Sequence, residues 1–512
     1  MCGIVGVLGE HQAAPVLVEA LKRLEYRGYD SAGVATVENG VLERRRAVGK
    51  LVNLSDELVQ NPLKGRSGIG HTRWATHGAP VEANAHPHRS GPVCVVHNGI
   101  IENFRDLRTQ LEGRGYAFVT DTDSEAIAVL THRYIDEGKG PVEAAMAAIE
   151  QLEGAFALAF LFEGEEDLIV AARLGSPLAI GHGEGEMFVG SDALALAPMT
   201  NKITYLEEGD RAVLTRTSLE IFDAHGKPAS RVMQEVQASS TNVDKGGYRH
   251  FMAKEIYEQP KVLADNLDFY LPDGETITLP EPGLDFTQFD RVVMVACGTA
   301  YFACFVAKYW FEQISGLPVE LDVASEFRYR EPPIGPRTLA ILVSQSGETA
   351  DTLAAQRYLK GKADAVVAAV NVTHSSIARE SDHVMPLLAG VEIGVASTKA
   401  FTCKQIAMAV LALKAAKDRG KIDESTLRDA LGALRSVPGA LSQALTLTDA
   451  VGGDISAELA EATDVLYLGR GAMYPLALEG ALKLKEISYI HAEGFASGEL
   501  KHGPIALVDP HT

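Results

Sequence analysis

The sequence predicts two architectures in one chain of 512 residues: an α+β amino-terminal half, then α/β doubly wound parallel sheets, the second incomplete. Three observations carry this. Up to about residue 214, short apolar runs such as 94–96 and 156–160 are interspersed with amphipathic helical patterns at 14–24 and 124–136, without a regular strand-helix alternation. Beyond residue 290 the style changes to β-branched apolar runs at 292–296, 339–343 and 365–370 that alternate with long helical patterns, including a strong one at 397–416. Runs apolar on both faces belong to parallel strands covered by helices. Finally, Val292-Val293-Met294-Val295-Ala296-Cys297-Gly298-Thr299-Ala300-Tyr301 recurs as Val465-Leu466-Tyr467-Leu468-Gly469-Arg470-Gly471-Ala472-Met473-Tyr474, with glycine and tyrosine in register. The second architecture is therefore a duplicated module.

In chain order, the amino-terminal domain is expected over 2–215. A polar stretch at 239–247, a helical segment at 252–264 and a proline-rich run at 271–282 read as a linker with its docking helix, over 216–285. The first copy of the module then occupies 286–425. The second, over 455–512, has room for a strand, a helix, a loop and one more strand before Thr512.

Composition narrows the function. An apolar content of 46% is enough for several cores, and the length suggests three or four domains. The formal charge of -21 argues against nucleic acid as a partner, since phosphate-backbone binders concentrate lysine and arginine. No run approaches the roughly 18 apolar residues of a spanning helix, and Met1-Cys2-Gly3-Ile4 has no basic signal region, so a cytoplasmic protein without a membrane partner is expected. The five cysteines, Cys2, Cys94, Cys297, Cys304 and Cys403, are scattered and contain no C-x-x-C pair, which fits reduced thiols.

Cys2 is the first chemical candidate. With the initiator Met removed, its thiol would lie beside its own α-amine, whose pKa of about 7.7 to 8.0 suits it to act as the thiol's base. A cysteine at position 2 can be accidental, and for Met-Cys-Gly alone that is the better reading. The ordered set Cys2-Gly3-Ile4-Val5-Gly6, Tyr26-Arg27-Gly28-Tyr29-Asp30-Ser31-Ala32-Gly33, His71-Thr72-Arg73-Trp74-Ala75-Thr76-His77-Gly78, His97-Asn98-Gly99 and Asp121-Thr122-Asp123-Ser124-Glu125 reverses it. These motifs resemble the class II glutamine amidotransferases, which have the N-terminal-nucleophile hydrolase fold. The resemblance implies that Arg73 and Asp123 clamp the carboxylate and ammonium of glutamine, with Thr76 and His77 as flanking contacts. It makes Asn98 and Gly99 the oxyanion hole and Trp74 the gate over the site. The five histidines between His71 and His97 invite a metal, but His86-Pro87-His88 lacks helical spacing and no carboxylate or thiol partner is evident, so none is expected.

In the second half, Ser344-Gln345-Ser346-Gly347-Glu348-Thr349 lies between an apolar strand and the helical pattern at 352–359. Hydroxyls and backbone donors at a helix N-terminus suit a phosphate, although such a turn is also a common capping device. With Cys297-Gly298-Thr299 and Gly394-Val395-Ala396-Ser397-Thr398-Lys399, it resembles the sugar isomerase (SIS) domain. That resemblance implies that Thr299, Ser344, Gln345, Ser346 and Thr349 hold the phosphate of fructose 6-phosphate while Val395 and Ser397 touch the sugar. Ala300 departs from it, standing where many relatives carry serine. Glu479, Lys483 and Glu486 share one helix face at i, i+4 and i+7. The default account is a surface ion-pair ladder. By resemblance this face is the isomerase site, with Glu479 at the sugar, Glu486 moving the proton between C1 and C2, Lys483 assisting, and His502, supplied across a dimer interface, opening the ring.

Both halves together resemble the glutamine-fructose-6-phosphate aminotransferase family, which starts the hexosamine route by making glucosamine 6-phosphate and glutamate from glutamine and fructose 6-phosphate. The resemblance implies no organic cofactor or metal, and a homodimer through the SIS domains. It also implies a terminal lysine and tail that are not found before His511-Thr512, so the chain is expected to be a fragment of a longer protein, with a glutaminase-only activity as the alternative for this stretch. Relatives that make phosphoribosylamine or asparagine are poor rivals, because neither a phosphoribosyl-diphosphate loop nor an ATP pyrophosphatase loop is present. A non-catalytic sugar-phosphate sensor would need neither Cys2 nor Glu486.

Overall fold

Side-chain size alternates along the strands of the amino-terminal half and sorts them into layers. In the strand Gly154–Phe162, Phe156, Leu158, Phe160 and Phe162 pack on one face with helices, and the smaller Ala157, Ala159 and Leu161 pack on the other. In Gly3–Leu8, Val5 and Val7 face helices while Ile4 and Leu8 face the second sheet. Successive residues of a strand point to opposite faces, so strands apolar on both require cover on both. The computed structural model, which describes residues 2–25, 28–75, 77–235, 245–281 and 283–509, meets that requirement with two stacked antiparallel sheets and helices outside each. One sheet runs in the order Met233–Glu235, Lys202–Tyr205, Ala179–His182, Met187–Gly190, Gly3–Leu8, Ser67–Arg73, Ser31–Glu38, Val41–Val48. The other runs Pro228–Ala229, Leu219–Phe222, Arg211–Leu214, Ile169–Leu174, Gly154–Phe162, Val93–Ile101, His88–Ser90.

The chain divides into two units, 1–243 and 244–512. Both sheets of the first unit continue past residue 215, into the stretch whose polarity reads as linker. The extra strands, Leu219–Phe222, Pro228–Ala229 and Met233–Glu235, are two to four residues long and lie at or near sheet edges, too short for a period of two to show. Of the polar stretch at 239–247, residues 239–244 lie outside the described residues.

In the second unit a helix, Phe251–Tyr270, buries Glu255, Gln259, Val262, Leu263, Asn266, Leu267 and Tyr270 along one stripe, six residues beyond the end its sequence pattern suggests. The parallel sheet follows in the order Val319–Val323, Arg291–Ala296, Thr338–Ser344, Ala365–Val370, His383–Pro386. Val292, Met294 and Ala296 face one helix layer and Val293 and Val295 the other. The order reverses between Arg291–Ala296 and Thr338–Ser344, and a crevice beyond the carboxyl ends of the strands opens at such a switch point. The duplicated module contributes the strands Asp464–Gly469 and His491–Ala496, parallel and paired, with the helix Met473–Ser488. Between the modules the sequence reading left 426–454 unassigned; it is part of one helix, Glu424–Glu461, with Pro438 inside it. Only Leu427 and Leu431 of this helix are buried, so it carries little amphipathic signal.

Leu431 is fully buried in the core beneath the parallel sheet and anchors that helix. Leu431→Ala should therefore cost about 2 to 5 kcal/mol, read by urea denaturation of the second unit; a change within 0.5 kcal/mol, the range of ordinary surface substitutions, would show that the helix is not anchored there.

Candidate active sites

Cys2 precedes the strand Gly3–Leu8, and the antiparallel register pairs Gly3 with Thr72. The chain leaving the neighbouring strand therefore passes beside Cys2. The backbone N–H of Trp74 donates to Cys2 Sγ at 3.2 Å, and the thiol reaches the Trp74 carbonyl at 3.5 Å. Burial pushes the Cys2 thiol up, and the Trp74 N–H pulls it partly back. Gly28 makes this close packing possible, because a Cβ there would lie 2.5 Å from the Arg73 carbonyl carbon.

Asn98, on the strand Val93–Ile101, donates from Nδ2 to the Cys2 carbonyl at 3.0 Å, while its Oδ1 lies 2.9 Å from His71 Nε2. Gly99 beside it has φ +128°, and a Cβ would come within 1.9 Å of the Ala155 carbonyl, so only glycine fits. Asp123 is buried at the start of the helix Ser124–Asp136 and accepts from the Ile101 N–H at 2.8 Å. The Arg73 guanidinium is turned to the carbonyls of His77, Gly78 and Ala79. His77 stacks edge-on against Phe104, with ring centroids 5.6 Å apart. The Trp74 indole is 43% exposed and meets Tyr29 edge-on. Thr76, with Tyr26 and Arg27 of the second motif, lies outside the described residues.

At the switch point of the parallel sheet, Ser344 ends its strand and the turn to Thr349 leads into the helix Ala350–Leu359. Ser344 Oγ bonds Thr349 Oγ1 at 2.9 Å and accepts from the Gly347 N–H at 3.0 Å, and Ser346 Oγ accepts from the Glu348 N–H at 3.2 Å. Gly347 has φ +63°, and a Cβ would come within 1.8 Å of Ser375 Oγ. Gln345 Oε1 is buried without a hydrogen-bond partner.

Thr299 belongs to a second cluster. Its Oγ1 donates to Glu479 Oε1 at 3.0 Å and accepts from Lys483 Nζ at 2.9 Å, and Lys483 also bonds Glu486 Oε2 at 2.8 Å. Burial pushes Glu479 up, opposed by Lys483. Its Oε2 is buried and unpartnered. His502 lies on the turn Leu500–His502, exposed, and its ring has no hydrogen-bond partner among the described residues. Val395 is 57% exposed, and Ser397 Oγ donates to Glu392 Oε2 at 2.8 Å. Ala300 is buried on the helix Gly298–Trp310.

Comparison with known proteins decides the family. Residues 71–198 match the glutamine amidotransferase domain, and residues 285–414 and 458–512 the SIS domain. Over 510 residues the chain is 59% identical to the glutamine--fructose-6-phosphate aminotransferase [isomerizing] of Brucella suis biovar 1 (strain 1330), covering 99% of this chain and 84% of that protein. The chain belongs to this family. The aminotransferase of Mesorhizobium japonicum is 57% identical over the same span. A solved C-terminal domain of the glucosamine-fructose-6-phosphate aminotransferase from Francisella tularensis is 44% identical, with a TM-score of 0.51 over 52% of this chain and 75% of that one.

Two carboxylates near the candidate acceptor site escaped the sequence reading. Glu255, buried on the helix Phe251–Tyr270, accepts from the backbone N–H groups of Ile393 and Gly394. Glu392 accepts from the N–H groups of Thr398 and Ala400, so two carboxylates shape the loop that carries Val395 and Ser397. In the first unit His71, His86, His88 and His97 form a buried cluster: the His71 and His86 rings stack 4.0 Å apart, and His88 meets His86 edge-on at 4.4 Å. No three His, Cys, Asp or Glu among the described residues are grouped to hold a metal.

Burial pushes all four imidazoles down, His71 to about 3, and the positive charges of Arg44, Arg46 and Arg73 add to the effect at His88. They are neutral in the folded protein at pH 7, whereas in the unfolded chain they gain protons below about 6.5. Unfolding then takes up protons, so stability falls as pH drops from 6.5 toward 3. The limit is about 1.4 kcal/mol per pH unit for each imidazole. Thermal unfolding of the first unit should accordingly lose Tm steeply between pH 6.5 and 5, and a flat Tm there would contradict a neutral cluster.

Proposed function

We infer that this chain carries out the family's reaction, in which glutamine is hydrolysed to glutamate and the ammonia is installed on fructose 6-phosphate to give glucosamine 6-phosphate. The observation that carries the donor half is the hydrogen bond from the Asn98 amide to the Cys2 carbonyl, which sets an amide donor, with Gly99 next to it on the strand, beside the residue that carries the thiol. Once Met1 is removed, the α-amine takes the thiol proton and the thiolate attacks the side-chain amide carbon of glutamine. Asn98 Nδ2 and the Gly99 N–H receive the oxyanion. Ammonia leaves, and water hydrolyses the thioester to glutamate. Arg73, Thr76, His77 and Asp123 hold the glutamine, and Trp74, exposed beside the thiol, closes over it. This requires Arg73 to exchange at least one of its carbonyl partners for the substrate carboxylate.

In the acceptor half, the turn from Ser344 to Thr349 receives the phosphate; its orphaned Gln345 Oε1, its hydroxyls and the helix N-terminus support that reading. Thr299, which the sequence groups with this turn, hydrogen-bonds the Glu479–Lys483 pair of the isomerase face. Val395 and Ser397 meet the sugar. Ammonia adds at C2 of the open chain, the C2 oxygen leaves as water to give an imine, and Glu486, charge-paired to Lys483, moves a proton from C1 to C2. All five cysteines are free, which supports a reducing, cytoplasmic setting. Among the described residues no helix is long and apolar enough to cross a membrane.

The two halves separate experimentally. Cys2→Ala should abolish glutamate release and leave fructose 6-phosphate affinity unchanged, while Ser346→Ala and Thr349→Ala should weaken that affinity roughly tenfold each, as loss of a charge-assisted hydrogen bond does, without slowing glutamine hydrolysis measured without sugar. Unchanged sugar affinity in both hydroxyl variants would remove the turn from the site.

The exposed, unpartnered His502 supports a homodimer through the SIS domains in which this imidazole serves the other subunit. Glu486→Gln and His502→Ala chains, each inactive as synthase, should then regain activity when mixed and allowed to exchange. No recovery, with exchange shown by mass, would place His502 in its own subunit's site.

A further inference from the structure

We infer that His71 is a positioning residue of glutamine hydrolysis, fixing the rotation of the Asn98 amide so that its NH2 group, and not its oxygen, faces the Cys2 site. This rests on the reading above that Asn98 supplies an oxyanion donor.

Two backbone carbonyls sort the hydrogens. His71 Nε2 lies 3.0 Å from the His97 carbonyl and 2.9 Å from Asn98 Oδ1. A carbonyl only accepts, so Nε2 carries the proton, and the Asn98 atom opposite it must also be an acceptor. At the other end of the amide stands the Cys2 carbonyl, 3.0 Å from Asn98 Nδ2, which demands a donor. A half-turn of the amide would set NH2 against Nε2–H and oxygen against oxygen, losing both bonds. Of the two amide hydrogens, one goes to the Cys2 carbonyl and the other is free for the oxyanion.

The imidazole is held for this task. Its plane is fixed by stacking on His86, at 4.0 Å and 20°, and His86 Nδ1 accepts from the His97 N–H at 3.3 Å. His71 Nδ1 is buried without a partner, which suits the bare lone pair of the neutral Nε2–H tautomer and would leave a proton there unsatisfied. The ring is fully buried, so water cannot take over its bond to Asn98. An oxyanion donor works because it is oriented before charge develops. A residue that only orients that donor should alter turnover and leave ground-state binding of glutamine alone.

The test is a double-mutant cycle on glutamine hydrolysis by the full chain, with His71→Phe, His71→Gln and Asn98→Ala, each checked by thermal unfolding. Asn98→Ala should lower kcat by about 10²-fold or more, as loss of one oxyanion donor does. His71→Phe should lower kcat at least tenfold with KM changed less than about threefold, and His71→Gln, whose amide N–H can stand where Nε2–H stood, should recover most of the loss. The double variant His71→Phe/Asn98→Ala should be no slower than Asn98→Ala alone, because a residue acting through another adds nothing once that other is gone. Multiplying losses, a His71→Phe defect confined to KM, or one that His71→Gln does not repair while Tm is unchanged, would overturn the inference with the oxyanion reading intact. An unchanged kcat in Asn98→Ala would instead overturn that reading and this inference together.

Discussion

The register between Gly3–Leu8 and Ser67–Arg73 is the constraint on which the amino-terminal site depends. Pairing Gly3 with Thr72 places Cys2 against the backbone of Trp74, and the same strand end holds Arg73, two residues after His71. A slip of one residue would turn every side chain of the strand to the opposite face and exchange the Ile4 and Leu8 layer with the Val5 and Val7 layer. Apolar packing on both faces thus enforces, over six residues, the position of a thiol that lies outside the strand.

Both sites are built largely from backbone groups and uncharged or paired side chains. Cys2 Sγ, Asn98 and the Arg73 guanidinium are all tied to main-chain atoms, and the turn after Ser344 is tied within itself. Low local polarity strengthens each such bond and makes an unpaired one costly. The orphaned Gln345 Oε1 and Glu479 Oε2 are therefore informative, because buried polar atoms without partners are uncommon and both lie where a sugar phosphate is proposed to bind.

Glutamine chemistry and sugar chemistry make opposite demands, and the two architectures answer them separately. A nucleophile at a chain terminus needs an open strand end within a sheet, which an antiparallel sandwich provides. A phosphate needs several N–H groups and hydroxyls converging on one point, which the carboxyl end of a parallel strand provides as it turns into a helix. The Glu479, Lys483 and Glu486 face of the duplicated module has the spacing of an ordinary surface ion-pair ladder. It differs from one by its contact with Thr299, about 180 residues away in sequence.

Features written locally could be read from the chain: the strand and helix periods, the turn from Ser344 to Thr349, the repeat of 292–301 at 465–474, and the motif set around Cys2, Arg73, Asn98 and Asp123 that ties the chain to its family. The helix Glu424–Glu461 and the edge strands beyond residue 215 were not legible, because a mostly exposed helix and strands of two to four residues leave almost no hydrophobic period. Only the tertiary structure decided that His71 meets Asn98, that Glu255 caps the loop at Ile393 and Gly394, and that Thr299 joins Glu479 and Lys483. Sequence by itself determined which chemistries this protein could hold; which side chains meet depends on hydrogen bonds between residues 27 to 184 apart, set by sheet register and helix packing and by no local pattern.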